Sequence, residues 1–489
     1  MRRILKMVLF AIVLTGVVFP AYAQETKAEE ITASTAILGE QDDYSMLTDG
    51  IEYENVYVSS ELILKNETGM AGLYLVFDLP CQYTIRDAQT GKTLSGGREG
   101  FLHCFSDLEG KFGYAPKEIA IHFPEGAWLG ELRIFSSGAL PDTVQRWQQP
   151  LTGGADMVLF STHGDDEQLY FAGLLPYYAG ERELDVQVVY MTSHSNLCGS
   201  LRQHEMLNGL WAVGVKAYPI FGPFPDFKEP GMETTYREYE NMGYSREELL
   251  RFVVENLRRF RPQVAVGHDL NGEYGHGMHK VYADLLTKAV EVSADPEMFP
   301  KSARQYGVWD VPKTYLHLYP ENEIIMDWDQ PLERFDGLTA FQVNQKLGFP
   351  CHVSQQYDLY VYWLYGPNNS QTLASEIASY SPCRYGLIRT TVGEDVDQND
   401  LMENLTSYAE QSSQYDEKEQ ALLAMVEAER IANAEEPKLL RPPVDPMTEK
   451  QENPRVFPVF AGLLAMLTLA GAGALAVKIK KFEKNENNT

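Results

Sequence analysis

The alternation of short apolar runs with longer segments of helical periodicity over residues 157–290 restricts the possible folds more than any other feature of this sequence. Buried-type strands are expected at residues 157–160, 186–191 and 264–266. Strands separated by helices imply βαβ units, so we predict an α/β domain with a Rossmann-like, mostly parallel sheet. Its functional site should lie at the carboxyl ends of the strands. The accompanying helices are expected at residues 168–178, 202–213, 246–260 and from about Lys280.

The segment that precedes this alternation has no helical pattern. Short β-rich runs are separated by Gly, Pro, Asn and Asp, which predicts an all-β sandwich domain over residues 49–145. Residues 24–48 are polar and without periodicity, which indicates a loosely ordered leader. The β-rich runs cover residues 56–58, 73–77, 119–123 and 132–135.

Both ends of the chain carry targeting signals. Basic residues precede an apolar run at 7–19 that closes on Ala21-Tyr22-Ala23, which predicts a secretory signal peptide over residues 1–23. Residues 456–477 contain no charge and are followed by lysines, which predicts a transmembrane helix and a basic cytoplasmic tail at 478–489. An acidic, proline-containing stalk is expected at 412–455. The protein is therefore expected in the cell membrane as a single-pass protein, with its folded part outside the cell.

The charge and the cysteines exclude several classes of protein. The formal net charge is −28, and because both ends are basic the exported part is still more acidic. Such a surface repels phosphate backbones, so we expect no nucleic acid partner. Five scattered cysteines are too few for a disulfide scaffold. Cys81 and Cys104 could form one bridge, and two free thiols are equally compatible with the sequence.

The first chemically informative segment is Ser161-Thr162-His163-Gly164-Asp165-Asp166-Glu167, directly after the strand at 157–160. One imidazole and three carboxylates in five residues repel or desolvate one another unless a cation neutralises them. An acidic helix start is the structural alternative, because the helix dipole favours carboxylates at that end.

The second segment, residues 267–279, follows the strand at 264–266 and contains His268, His276 and His279. Imidazole is the commonest metal ligand, and the His-x-x-His spacing can direct two rings into one pocket. An open zinc site needs three protein ligands, a nearby carboxylate base and an oxyanion donor. The two segments together contain this set of side chains.

These motifs resemble the PIG-L family of zinc-dependent N-acetylglucosaminyl deacetylases. The resemblance rests on His163-Gly164-Asp165-Asp166-Glu167, Arg202-Gln203-His204-Glu205 and Gly275-His276-Gly277-Met278-His279. It implies a deacetylase domain over residues 151–411 and a glycan or N-acetyl amino-sugar substrate. It also implies a role for each matched residue: Zn²⁺ ligands His163, Asp166 and His279, general base Asp165, oxyanion donor His276, and substrate contact Arg202.

Two positions depart from the family pattern. Gly164 stands where the family usually has Pro, and glycine can adopt the backbone angles of a proline position. Met278 stands where many members have Asp, so a carboxylate that orients His276 must come from elsewhere, with Asp269 or Glu273 as candidates. The resemblance extends to extracellular members beyond residue 290, and the β domain is similar to carbohydrate-binding modules.

Several further readings stay open. The ligand set suits zinc and also accepts Fe(II) or Co(II). The site could act on another amide, or the protein could be a cell-surface glycan-binding protein with an inactive deacetylase-like domain. The remaining polar side chains are weaker candidates: His194 and Cys198 as pocket lining, Tyr274 as a substrate contact, and His317 and His352 as core or rim residues.

Overall fold

The computed structural model describes residues 26–97, 100–193 and 200–432. The predicted signal peptide, the predicted membrane span at 456–477 and the tail lie outside the described residues. Within the described ranges, no helix has both the length and the apolar character needed to cross a bilayer. The compact unit that contains all the sheets ends at Glu419.

The N-terminal part of the chain forms two antiparallel sheets, with strand orders β1-β3-β8-β5-β6 and β2-β9-β4-β7. Their apolar side chains share one buried cluster, as expected for strands with one face turned inward. The arrangement of these sheets as a separate sandwich domain stays a prediction. The elements are β1 (Ala36–Leu38), β2 (Val56–Val58), β3 (Glu61–Lys65), β4 (Gly72–Phe77), β5 (Tyr83–Asp87), β6 (Thr93–Gly96), β7 (His103–Asp107), α1 (Leu108–Phe112), β8 (Glu118–His122) and β9 (Ala127–Phe135).

The expectation of a loose leader over residues 24–48 is wrong from about Thr32 onward. Strand β1 pairs with β3, and the hydroxyl of buried Thr32 accepts a hydrogen bond from Ile134 N at 2.9 Å. Cys81 and Cys104 are free thiols, so the alternative of two unbridged cysteines applies.

A seven-stranded sheet follows, in the order β12-β11-β10-β13-β14-β16-β15. The first five strands in this order are parallel to one another, and β16 and then β15 are added at one edge through antiparallel pairings. Alternate residues of β10 enter two separate cores, with Leu159 on one face and Val158 on the other. The strands are β10 (Met157–Ser161), β11 (Val186–Thr192), β12 (Ile220–Phe224), β13 (Val264–Gly267), β14 (Lys313–His317), β15 (Glu323–Ile325) and β16 (Arg384–Thr390).

Helices cover the sheet, and three of the four predicted ones, α3, α5 and α6, begin within about three residues of the expected position. Helix α5 starts at a capping box between Ser245 and Glu248, and ends at Arg261 in the left-handed conformation. The helices are α2 (Asp166–Leu169), α3 (Leu201–Ala212), α4 (Met232–Asn241), α5 (Arg246–Phe260), α6 (Gly277–Val292), α7 (Pro300–Tyr306), α8 (Ala340–Val343), α9 (Asp358–Tyr365) and α10 (Tyr408–Ala432).

The predicted helix at 168–178 is wrong. Helix α2 ends at Leu169, and turns connect it to a π-helical segment, Pro176–Glu181. Gly173 has a φ of +99°, which interrupts a right-handed helix, and a Cβ there would collide with the ring of Trp328. The packing of Gly173 against Trp328 therefore determines the backbone of this segment, although its sequence has helical periodicity.

Candidate metal centre

The two histidine-containing loops meet at one edge of the parallel sheet. Strand β10 pairs in parallel with β13, so the loop after Ser161 and the loop after Gly267 leave neighbouring strands at their carboxyl ends. Strand β14 lies on the other side of β13 and ends at His317. This is the edge at which open α/β sheets place their sites.

Three side chains converge there, and they are the three predicted ligands. Nδ1 of His163 lies 3.1 Å from Asp166 Oδ2 and 3.1 Å from His279 Nε2. The remaining side of the triangle, from His279 Nε2 to Asp166 Oδ2, measures 3.3 Å. All three residues are buried. Zinc bonds of about 2.0–2.2 Å at tetrahedral angles separate two donor atoms by about 3.3 Å, so this triangle fits a single ion.

The charges in this triangle attract a cation. Burial raises the pKa of Asp166, but the imidazoles of His279 and His163 outweigh it and hold that pKa well below its usual range. Burial opposes charge on His279 too, yet Asp166 and Glu273 raise its pKa to about 9. Buried carboxylates thus draw positive charge onto the rings, and a metal ion supplies that charge while leaving both imidazoles neutral.

Glu273 is the carboxylate that orients this cluster. Its Oε2 accepts hydrogen bonds from His279 Nδ1 at 2.7 Å and from His268 Nδ1 at 2.9 Å. Its Oε1 lies 2.6 Å from Nδ1 of His317. A proton on Nδ1 of His279 leaves Nε2 free to face the metal, which is the usual carboxylate–histidine–metal arrangement. The sequence offered Glu273 only as a partner for His276, and the structure directs it to His279.

Asp226 plays the same part for His163 and was missed from the sequence. Its Oδ1 lies 3.2 Å from Nε2 of His163, on the side of the ring opposite the triangle. The residue follows β12, a further parallel strand of the sheet, so its position just beyond a strand end was the available signal. His268 was also unassigned; its Nε2 accepts a hydrogen bond from Thr162 N and lies 3.5 Å from Asp166.

Asp165, the predicted base, precedes α2 and is buried beside the triangle. Burial raises the pKa of its carboxyl group, and the guanidinium of Arg202 opposes that shift. Nη2 of that guanidinium lies 3.9 Å from Asp165 Oδ1. A carboxylate with a raised pKa near a metal-bound water is suited to accept a proton.

Arg202 lies behind the motif. Its Nη2 donates to the carbonyl of Gly164 at 2.5 Å, and its Nη1 donates to Glu205 at 3.2 Å. Glu205 in turn accepts from the backbone and the hydroxyl of Ser354. Arg202 is buried by these contacts and holds the backbone of the motif, while its contact with substrate stays a prediction.

His276 lies at the start of α6 with its ring 4.8 Å, between centroids, from the rings of both His163 and His279. Its Nδ1 accepts a hydrogen bond from Met278 N at 3.2 Å, so the neutral ring carries its proton on Nε2. Burial lowers the pKa of His276 to about 3, with the charges of His163 and His279 acting in the same direction. The ring is a neutral donor.

Met278 belongs to the core and supports the loop that carries Asp226. Its side chain is fully buried, and its sulfur accepts a hydrogen bond from Phe227 N at 3.0 Å. The side chain at this position therefore does not provide a carboxylate to His276. Through this contact, helix α6 supports Phe227, the neighbour of Asp226. Asp226 is the second carboxylate, after Glu273, that contacts a predicted ligand.

Aromatic side chains form the rim. The ring of Tyr274 lies near that of His276, and its hydroxyl accepts a hydrogen bond from Tyr360 of α9 at 3.4 Å. His317 and His352 are both fully buried, in agreement with their assignment as core residues. His352 Nε2 lies 3.2 Å from Glu167. His194 and Cys198 lie outside the described residues.

The fold and the site define an α/β protein with a buried two-histidine, one-aspartate centre at the carboxyl edge of a parallel sheet. Residues 158–290 match the family model PIG-L, described as GlcNAc-PI de-N-acetylase.

Curated relatives cover a similar part of the chain. A 1D-myo-inositol 2-acetamido-2-deoxy-alpha-D-glucopyranoside deacetylase of Catenulispora acidiphila is 27% identical over 209 residues, which are 39% of this chain and 64% of that protein. A deacetylase of the same description from Saccharopolyspora erythraea is 29% identical over 202 residues, covering 37% and 72%. The N,N'-diacetylchitobiose deacetylase structure from Pyrococcus horikoshii, complexed with its inhibitor MPG, matches at 17% identity with a TM-score of 0.34, covering 48% and 84%.

Proposed function

We propose that this protein is a zinc-dependent deacetylase that hydrolyses the N-acetyl group of an N-acetylglucosamine-type glycan or glycoconjugate. The observation that carries the proposal is the convergence of His163, Asp166 and His279 beside the buried carboxyl of Asp165. The PIG-L match and the names of the relatives, which describe deacetylation of a 2-acetamido sugar, support the choice of substrate class.

His163, Asp166 and His279 would hold the metal. Zinc in such a site lowers the pKa of its bound water to about 7 and polarises the amide carbonyl. Glu273 and Asp226 keep the far nitrogens of the two imidazoles engaged, so that His279 presents Nε2 and His163 presents Nδ1 to the centre.

Asp165 is the proposed general base. Its carboxylate takes a proton from the attacking water and delivers it to the nitrogen of the leaving amine. Arg202 fixes the backbone of the preceding Gly164, which limits movement of the base. The raised pKa of Asp165 reduces the difference between its pKa and that of the water that it deprotonates.

His276 is the proposed oxyanion donor. Its Nε2–H is available because Nδ1 is occupied by the backbone N–H of Met278. A neutral imidazole can donate this proton in a hydrogen bond to the oxygen of the tetrahedral intermediate without transferring it. Arg202 is proposed to contribute to substrate binding through its position beside Asp165.

We also propose that the catalytic part lies outside the cell. The support is in the sequence alone: a signal-like start at residues 1–23, an uncharged stretch at 456–477 and lysines after it. Glycans and glycoconjugates at the cell surface would then be within reach of the site.

The test combines metal content with amine release from N-acetylglucosamine oligomers, using the detergent-purified full chain. We expect zinc binding at the triangle and amine release in the wild type, with zinc retained and amine release lost in Asp165→Ala. Asp42→Ala is the matched control, because Asp42 is exposed and lies far from the motif in the sequence. A wild type that binds no divalent metal after reconstitution would refute the proposal, whereas zinc without amine release would reject this substrate class.

A further inference from the structure

A second cluster of metal-ligating side chains lies between the antiparallel sheets and α3. His103 of β7 and His204 of α3 are both buried, and Nε2 of His103 lies 2.9 Å from Nδ1 of His204. Glu52, in the loop before β2, completes the group, with one ligand atom from each residue within 4.8 Å of the others. None of these three residues belongs to the centre at His163.

The outer contacts of this cluster are those of a built site. The hydroxyl of Tyr74 lies 2.6 Å from Nδ1 of His103, and its oxygen can accept a hydrogen bond from a proton carried on that nitrogen. Nε2 of His103 then presents a lone pair toward His204. Asn208 Nδ2 donates to Oε2 of Glu52 at 2.7 Å, which leaves Oε1 of that carboxylate for another partner. Ligand residues held from behind in this way are characteristic of metal sites.

His204 supplies a separate observation. The residue is only 2% exposed, and its Nε2 is buried with no hydrogen-bond partner among the described residues. A buried polar atom without a partner costs about 1–3 kcal/mol. Nδ1 of the same ring faces Nε2 of His103 at 2.9 Å, so this imidazole lies beside a second imidazole and a carboxylate while its other nitrogen has no partner among the described residues. A cation is the ligand that this donor set selects.

The cluster also has an access route. A cleft of about 620 Å³ reaches His103 and is lined on other sides by Tyr83, Phe101 and Trp147. Phe101, one of these lining residues, stacks on Tyr218 at 4.2 Å between ring centroids. An ion in this cleft would approach the cluster from the side of His103.

We propose that Glu52, His103 and His204 form a second, structural site for a divalent cation of the zinc class. The ion would join the antiparallel sheets to α3, the helix that also carries Arg202 and thereby holds Gly164. Two imidazoles and one carboxylate suit zinc, and binding to the folded state alone stabilises that state. The proposal is independent of the deacetylase activity.

The test uses zinc binding by the detergent-purified full chain, stripped with a chelator and then titrated. We expect two equivalents of zinc in the wild type, falling to one in Glu52→Gln and remaining at two in the exposed neighbour variant Glu54→Gln. The double variant His163→Ala/His279→Ala should keep one equivalent, and zinc should raise its Tm. Adding Glu52→Gln to that double variant should remove both the remaining zinc and the rise in Tm.

Either of two results would overturn the second site. One is a wild type that binds a single equivalent, lost in His163→Ala/His279→Ala. The other is a second equivalent that Glu52→Gln and His103→Ala both leave unchanged. If the double variant does not fold, the wild-type and Glu52→Gln stoichiometries decide the question alone. Absence of amine release from the wild type would count against the proposed activity and would not bear on the second metal site.

Discussion

At the scale of single residues, one carboxylate organises most of the histidines around the candidate centre. Glu273 is fully buried and contacts His268 after β13, His279 of α6 and His317 of β14. The three imidazoles outweigh the effect of burial and hold its pKa well below the usual range. Glu273 therefore carries a negative charge in the folded protein, and this charge contributes to the electrostatics of the candidate centre.

Glu273→Gln is expected to weaken zinc binding by about 10–100-fold, because an amide cannot accept hydrogen bonds on both sides from the ring nitrogens that it faces. The measurement is the zinc Kd of the full chain in competition with a chelator. Glu291→Gln, an exposed substitution on α6, should leave the Kd unchanged. An unchanged Kd in Glu273→Gln would show that orientation of His279 does not depend on this carboxylate.

Glu131 on β9 gives a prediction for pH. Burial raises the pKa of Glu131 to about 7, the charges of Asp49 and Glu52 add to this, and the N–H of Gly50 opposes it. Since the folded-state pKa lies above the unfolded value, the folded protein holds this proton more tightly. The resulting stability is complete below about pH 4.3 and is lost as the pH rises through 7.

Glu131→Gln should therefore raise the Tm relative to wild type more at pH 8.5 than at pH 5, because the glutamine never ionises in its buried position. Thermal unfolding of both proteins at the two values of pH measures the difference. Exposed Glu125→Gln serves as the control and should give the same shift at both. An equal effect of Glu131→Gln at the two pH values would contradict the assignment.

At the scale of elements, local sequence was sufficient where one segment contains the whole signal. Helix α5 has its capping box, its apolar face and its stop within a few turns, and it was predicted at its observed bounds. His163, Asp165 and Asp166 were singled out for the same reason. Asp226 and the contact of Glu273 with His317 required the sheet order, because nothing near them in the sequence states which strands become neighbours.

Gly173 marks the element that periodicity misplaced. Its φ of +99° favours glycine, and an added Cβ would lie 2.4 Å from Cγ of Trp328. Gly173→Ala should destabilise the protein by more than the roughly 1 kcal/mol expected for backbone strain alone. Gly243→Ala separates the two causes, since Gly243 has a φ of +92° and open space at its Cβ. Urea unfolding should show the larger loss for Gly173→Ala, and equal losses would exclude the clash with Trp328.

At the scale of the whole molecule, the sheet is larger than the segment that carries the family match. Strands β14, β15 and β16 lie beyond residue 290 yet extend the same sheet, and β14 is hydrogen-bonded to β13 at the candidate centre. The alternation of strands and helices predicted the parallel part. The antiparallel edge depends on contacts between residues roughly 70 positions apart, which periodicity does not encode.

A buried ion pair links this edge of the sheet to the segment that follows β16. Nζ of Lys313, on β14, donates to Asp395 and, at 2.8 Å, to the carbonyl of Glu403, and the hydroxyl of Tyr315 donates to Asp395 at 2.6 Å. Lys313 and Asp395 are both buried. Removing one member leaves the other charge without compensation in a medium that solvates it poorly.

Asp395→Ala should therefore lower the free energy of unfolding by about 3–5 kcal/mol, measured by urea unfolding of the full chain. Asp397→Ala, at an exposed position two residues on, is the control and should change it little. Replacing both charges, in Lys313→Met/Asp395→Leu, should recover much of the loss, because apolar side chains of similar size tolerate burial. If the double variant is as unstable as Asp395→Ala, the pair's hydrogen bonds to Tyr315 and Glu403 must matter more than its charge, since the double variant removes them while leaving no charge buried.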